Sequence, residues 1–208
     1  MSTRTRVKIC GITRVEDAQA AAAHGADAIG LIFYRPSPRY VTPDRARAVV
    51  EALPPFVTPV AVFVNPSRGE VEGAIAAGAA LLQFHGDEDP AFCAGFERPY
   101  IKAARIRPGL NLLEYLAPYT TARGWMLDAY HDELWGGTGG AFDWSLVPAR
   151  AERPIILSGG LTAANVGEAV RRVRPWGVDV STGVESSKGL KDAAKIAAFI
   201  AGVRNADG

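Results

Sequence analysis

Two stretches late in the chain hold residue types suited to gripping an anion. Ser158-Gly159-Gly160-Leu161 and Ser181-Thr182-Gly183-Val184 each follow a short apolar run and precede a helical pattern. Glycine lets the backbone approach a ligand closely and take φ > 0, while hydroxyls and the free N–H groups of a helix start supply donors for several phosphate oxygens. Together the two loops read as a phosphate cradle. Other polar residues end other apolar runs: Cys10, the loop 34–40, Asn65, His85, Lys102, Asp128 and Asp179.

Several of these have two readings. Cys10 alone is a small buried hydrophobe. At a strand end before Gly11 it is also a candidate base, provided a nearby positive charge lowers the thiol from its usual value of about 8.5. Lys8, two residues earlier and so on the same side of a strand, is placed to do that. Asp128 could cap a turn, or supply general acid chemistry from a partly apolar pocket that raises its pKa. Arg35 and Arg39 lie in Tyr34-Arg35-Pro36-Ser37-Pro38-Arg39-Tyr40. Both could be solvated, or the prolines could stiffen the loop and hold one inward to grip a carboxylate with its forked guanidinium. His85 reads as a satisfied rim histidine and Cys93 as structural.

Such residues need a scaffold that brings strand ends together. Apolar runs at 7–10, 28–33, 60–64, 81–84, 100–103, 125–128, 154–157 and 177–180 alternate with helical patterns, predicting an α/β class with a parallel sheet. Thr13 with Glu16 has capping-box spacing, Thr42 precedes Pro43 at a second helix start, and further helices are expected at 70–77, 90–94, 112–116, 165–173 and 190–203. A phosphate site after the last two of eight strands is a recurring property of (β/α)8 barrels, whose chemistry sits on the C-terminal face. One (β/α)8 TIM barrel domain over residues 1–208 is therefore expected. The chain is short for a barrel of about 250 residues, so some helices must be stubs.

Composition narrows the partners. Twenty-three basic and 22 acidic residues give a net charge of +1, so neither nucleic acid nor an acidic membrane surface is expected. Two cysteines without a CxxC or Cys/His cluster predict no disulfide framework and no metal. No apolar run is long enough to span a bilayer and no apolar segment follows the early arginines, so a cytoplasmic, soluble protein is expected.

The motifs together resemble the phosphoribosylanthranilate isomerase family. They are Lys8-Ile9-Cys10-Gly11-Ile12-Thr13-Arg14, Ser37-Pro38-Arg39, Gln83-Phe84-His85-Gly86, Leu127-Asp128, Gly136-Gly137-Thr138-Gly139, Phe142-Asp143-Trp144, Ser158-Gly159-Gly160-Leu161 and Val178-Asp179-Val180-Ser181-Thr182-Gly183-Val184-Glu185. The resemblance implies an Amadori rearrangement of N-(5-phosphoribosyl)anthranilate to 1-(2-carboxyphenylamino)-1-deoxyribulose 5-phosphate in tryptophan biosynthesis, without metal or cofactor. It implies Asp128 as general acid and Cys10 as general base. Arg39 would bind the anthranilate carboxylate. Gly159, Gly160, Ser181, Thr182 and Gly183 would hold the phosphate, and Asp179 would order the phosphate loops or assist near the sugar hydroxyls. The partner would be a small phosphorylated aminosugar, and the assembly a monomer or homodimer. Phe84 and Gly140-Ala141 depart from the usual pattern. Three other readings stay in view: a sister isomerase acting on the histidine-pathway aminoaldose, a Schiff-base aldolase using Lys102, and a non-catalytic sugar-phosphate sensor.

Overall fold

The computed structural model describes residues 4–106, 109–129, 144–148 and 150–208. Eight apolar runs become β1 (Arg6–Ile9), β2 (Ala28–Ile32), β3 (Thr58–Phe63), β4 (Leu81–Phe84), β5 (Tyr100–Ile106), β6 (Gly124–Ala129), β7 (Ile155–Leu157) and β8 (Gly177–Val180). They pair in chain order, all parallel, and β1 closes the barrel against β8 with Lys8 opposite Asp179. Around the barrel lie α1 (Val15–His24), α2 (Pro43–Glu51), α3 (Arg68–Ala76), α4 (Pro90–Ala94), α5 (Leu112–Leu116), α6 (Val166–Val173) and α7 (Ala193–Asp207). The stubs expected from the chain length are α4 and α5, five residues each.

Strand pleating divides the core into two layers. Ile9, Ile29, Leu31, Phe63, Leu82, Phe84, Leu127 and Leu157 face outward and pack against helix residues such as Ala18, Val49, Val71, Ala169 and Phe199. Phe84 is fully buried there, at 5.8–6.1 Å centroid distance from Phe63, Phe92, Phe96 and Tyr100. Inside the barrel, Ile101, Ala103 and Met126 pack with Leu81 and Ile156 as an apolar floor. Burying each large apolar side chain contributes about 1.5–3 kcal/mol, so this two-layer burial is the main stabilising term. The inward parity that puts Met126 in the floor puts Asp128 above it, and the same holds for Lys8 below Cys10 and Gln83 below His85.

Local signals set most helix starts. Thr42 accepts from Arg45 N with Pro43 in the first turn. Ser67 forms a reciprocal capping box with Glu70, so α3 starts at Arg68, earlier than residue 70. The capping box expected at Thr13 does not form: α1 begins at Val15 after Arg14, and Thr13 Oγ1 donates to the carbonyl of Gly189 at 2.6 Å. A helix from residue 190 is likewise corrected. Glu185–Ser187 and Leu190–Lys191 form an antiparallel hairpin, β9 and β10, and α7 starts at Ala193 with Asp192 accepting from Lys195 N. Gly189 turns that hairpin at φ 80°. Among the described residues no helix is long and apolar enough to cross a membrane.

Candidate active site

A cavity opens at the C-terminal ends of the strands. Its wall includes Cys10, Arg39, His85, Asp128, Gly159, Gly160, Asp179, Ser181 and Thr182, residues drawn from strands and loops spread along the chain. Gly183 is not part of the wall. A Cβ on Gly183 would lie 2.0 Å from the carbonyl oxygen of Leu161, so this glycine lets one predicted phosphate loop rest on the other. Gly159 and Gly160 turn the β7 loop with φ of 87° and 66°, conformations that favour glycine.

At the end of β1, Cys10 is buried beside Lys8, in space that exists because residue 30 has no side chain. A Cβ on Gly30 would meet Cys10 Sγ at 2.6 Å and Lys8 Nζ at 3.0 Å. Lys8 Nζ donates to Asp179 Oδ1 at 2.8 Å, across the β1–β8 seam. Burial disfavours the Lys8 charge, but Asp179 and the Cys10 sulfur outweigh it, leaving the ammonium pushed up to about 12. The thiol goes the other way from the expectation. Burial pushes Cys10 up, Asp179 adds to that, and the opposing pull of Lys8 does not overcome them. Lys8 shares its charge with Asp179, so its pull on the sulfur is too small to offset burial.

Across the cavity, His85 Nε2 lies 3.0 Å from Asp128 Oδ2, and His85 Nδ1 lies 3.0 Å from Gln83 Nε2. Because the Gln83 amide nitrogen can only donate, Nδ1 accepts and the imidazole is protonated at Nε2, giving its proton to the hydrogen bond with Asp128. Gln83 is 1% exposed and also donates to Met126 Sδ at 3.2 Å. His85 is thus the satisfied histidine at the cavity wall that the sequence suggested, and it orients Asp128 besides. The signal was its two-residue spacing from Gln83, but its partner stands 43 residues on.

Of the two loop arginines, Arg39 turns inward and is 7% exposed, while Arg35 is exposed beside Tyr40. Arg39 spends Nε and Nη2 on Glu185, at 2.7 and 2.8 Å. Asp179, besides pairing Lys8, accepts from Ser158 Oγ at 3.3 Å and so ties β8 to the β7 loop.

Lys102 is absent from the cavity. Ile101 and Ala103 point into the barrel, so the pleat sends Lys102 outward, where its fully buried Nζ bonds the carbonyl of Gly86 at 2.5 Å and Glu88 Oε2 at 2.8 Å. Glu88 also accepts from the backbone N–H groups of Asn65 and Gly86, which makes this a clip for the loop after β4. A Schiff base at Lys102 is excluded by that placement. Cys93 is fully buried, its thiol pushed up to about 12 chiefly by burial, and is structural. The Gly136-Gly137-Thr138-Gly139-Gly140 stretch, Phe142-Asp143 and His131 lie outside the described residues.

The family described as N-(5'phosphoribosyl)anthranilate (PRA) isomerase matches residues 7–202. A Pseudomonas paraeruginosa N-(5'-phosphoribosyl)anthranilate isomerase is 60% identical over 203 residues, covering 96% of this chain and 95% of the relative. The solved phosphoribosyl anthranilate isomerase of Thermotoga maritima superposes with a TM-score of 0.89 at 40% identity, covering 97% of this chain and 99% of that one. A phosphoribosyl anthranilate isomerase in complex with reduced 1-(o-carboxyphenylamino)-1-deoxyribulose 5-phosphate gives 0.86 at 37% identity, with coverage of 97% and 99%. The chain belongs to the N-(5'-phosphoribosyl)anthranilate isomerase family.

Proposed function

We propose that the family reaction, the Amadori rearrangement of N-(5'-phosphoribosyl)anthranilate to 1-(2-carboxyphenylamino)-1-deoxyribulose 5-phosphate, runs in this cavity with Asp128 as acid and Cys10 as base. The substrate lies with its phosphate toward the glycine loops and its aryl carboxylate toward Arg39. Protonated Asp128 gives its proton to the furanose ring oxygen. The anthranilate nitrogen lone pair forms the C1′=N bond as the ring C–O bond breaks, leaving a cationic Schiff base. Cys10, as thiolate, removes the C2′ proton, and the C–H electron pair neutralises the iminium to give an enolamine. Tautomerisation of that enolamine gives the aminoketose. Lys8 beside the sulfur counters its charge while the thiolate exists.

One observation carries this reading: a carboxyl and a thiol from separate strands open onto one cavity, between an arginine on one wall and a two-loop anion cradle on another. Binding at both ends supplies the orientation that a one-substrate proton relocation needs. The test follows loss of substrate by anthranilate fluorescence in wild type, Cys10→Ala and Asp128→Asn, beside calorimetry with the reduced product analogue. Each variant is expected to lose about 10²–10⁴-fold in turnover, with analogue affinity within about threefold. Affinity falling as far as turnover would make the two residues structural and defeat the assignment.

A further inference from the structure

Beside the cavity lies a buried cluster of three charges that takes no part in the proton transfers. Glu185, on β9, receives the forked edge of Arg39, and Lys191, on β10, donates Nζ to the same carboxylate at 3.0 Å. The Lys191 side chain has no exposed surface. Its remaining bonds run to the other end of the site, to the carbonyl of Ser181 at 3.0 Å and the Ser181 hydroxyl oxygen at 3.3 Å. Two cations and one carboxylate in the interior are poor stabilisers compared with an apolar plug of the same volume. Their geometry is better suited to holding other groups in place.

A guanidinium gripped through Nε and Nη2 has its plane fixed, and its Nη1 side remains for a second anion. A serine oxygen that accepts from Lys191 keeps its own proton for a donor role. Gly11 sits against both: a Cβ there would lie 2.5 Å from Arg39 Cδ and 3.0 Å from Ser181 Oγ. The hairpin carrying Glu185 and Lys191 is itself anchored. Thr13 bonds Gly189, and Lys191 N donates to Asp17, which Arg14 grips in turn.

We infer that Glu185 and Lys191 are positioning residues for substrate recognition. Glu185 sets the plane of Arg39 for a carboxylate, and Lys191 ties that clamp to Ser181, so the hairpin spaces the carboxylate end of the site from its phosphate end. The inference rests on the reading of Arg39 as the carboxylate clamp. The ligand class it selects is an elongated dianion-plus-carboxylate, not a sugar phosphate alone.

Calorimetry with two probes tests it: the reduced product analogue, and the same compound with phenyl in place of the carboxyphenyl ring. Arg39→Ala is expected to weaken the carboxylated probe about 10–10²-fold and the phenyl probe less than threefold. Glu185→Gln should show the same selectivity, with at least about a tenfold loss confined to the carboxylated probe. Lys191→Met should weaken both. Should Glu185→Gln fail to fold, Glu185→Asp keeps the charge while pulling the fork back by one methylene, and the same selective loss is expected. If Glu185 variants weaken both probes equally, or neither, while Arg39→Ala stays selective, the positioning role is overturned and the clamp stands. If Arg39→Ala itself weakens both probes equally, the clamp is wrong, and Glu185 and Lys191 lose the group they are said to position.

Discussion

Gly30 offers a sharp test of how closely this site is built. Its missing side chain is what accommodates the Cys10 sulfur, and Gly30→Ala places a methyl 2.6 Å from Sγ and 3.0 Å from both Lys8 Nζ and Cys10 Cα. Ordinary contact begins at 3.4 Å, so the sulfur must retreat by at least the 0.8 Å that separates 2.6 from 3.4. Overpacking a dense interior by one methyl costs typically about 1–3 kcal/mol of stability. Misplacing a reacting group by about 1 Å costs on the order of 10²-fold in rate. Gly30→Ala is thus expected to stay folded at 25 °C, with kcat down about 10²-fold and the affinity for the reduced product analogue little changed, because the residues proposed to bind its two anionic ends lie elsewhere. Paired denaturant titrations and fluorescence assays read the two quantities separately. A kcat within threefold of wild type would refute the claim that sulfur placement is limiting; a rate loss that merely tracks the unfolded fraction would refute it as well.

Two further outcomes follow from the ionisable groups. The reactive acid–base pair carries one proton in total, on Asp128 and not on Cys10, so kcat/KM should be level in pH until the pair loses that last proton. Burial puts Cys10 above the ordinary thiol value of about 8.5, so the alkaline fall in a kcat/KM profile is expected above about pH 8.5, and a fall centred near 7 would contradict the assignment. Lys102→Met strands Glu88 as a buried, unpaired carboxylate and should cost about 3–5 kcal/mol in denaturant unfolding. Borohydride added with substrate should leave Lys102 unmodified by mass spectrometry; an adduct there would contradict its outward placement.

The alternation of apolar runs and helices was legible because parallel strands buried on both faces read as short continuous apolar stretches. That same property hid Lys102. With Tyr100, Ile101, Ala103 and Ala104 all buried, nothing local says which parity faces the cavity, and the side chain at position 102 turned out to be on the helix side. Ser158-Gly159-Gly160 and Ser181-Thr182-Gly183 were readable from composition, since few residues besides glycine and hydroxyls make such loops. Thr13 was misread because a capping signal is local while its hydroxyl found Gly189, 176 residues away. Lys191 gave no signal at all. A lysine in a polar turn region usually marks solvent, and its burial depends on Glu185 and Ser181 being arranged around it by the closed barrel.

The seam between β1 and β8 has a consequence in time as well as in space. Lys8 and Asp179 are 171 residues apart, and Arg39 and Glu185 are 146 apart. At about 5–20 residues per second, a ribosome needs roughly 10–30 s between making Cys10 and making the strand that completes its surroundings. Throughout that interval the nascent chain has a thiol but neither the cradle nor the partner of its arginine. On the proposed assignment, a part-made chain therefore lacks the groups that would hold the substrate at both ends.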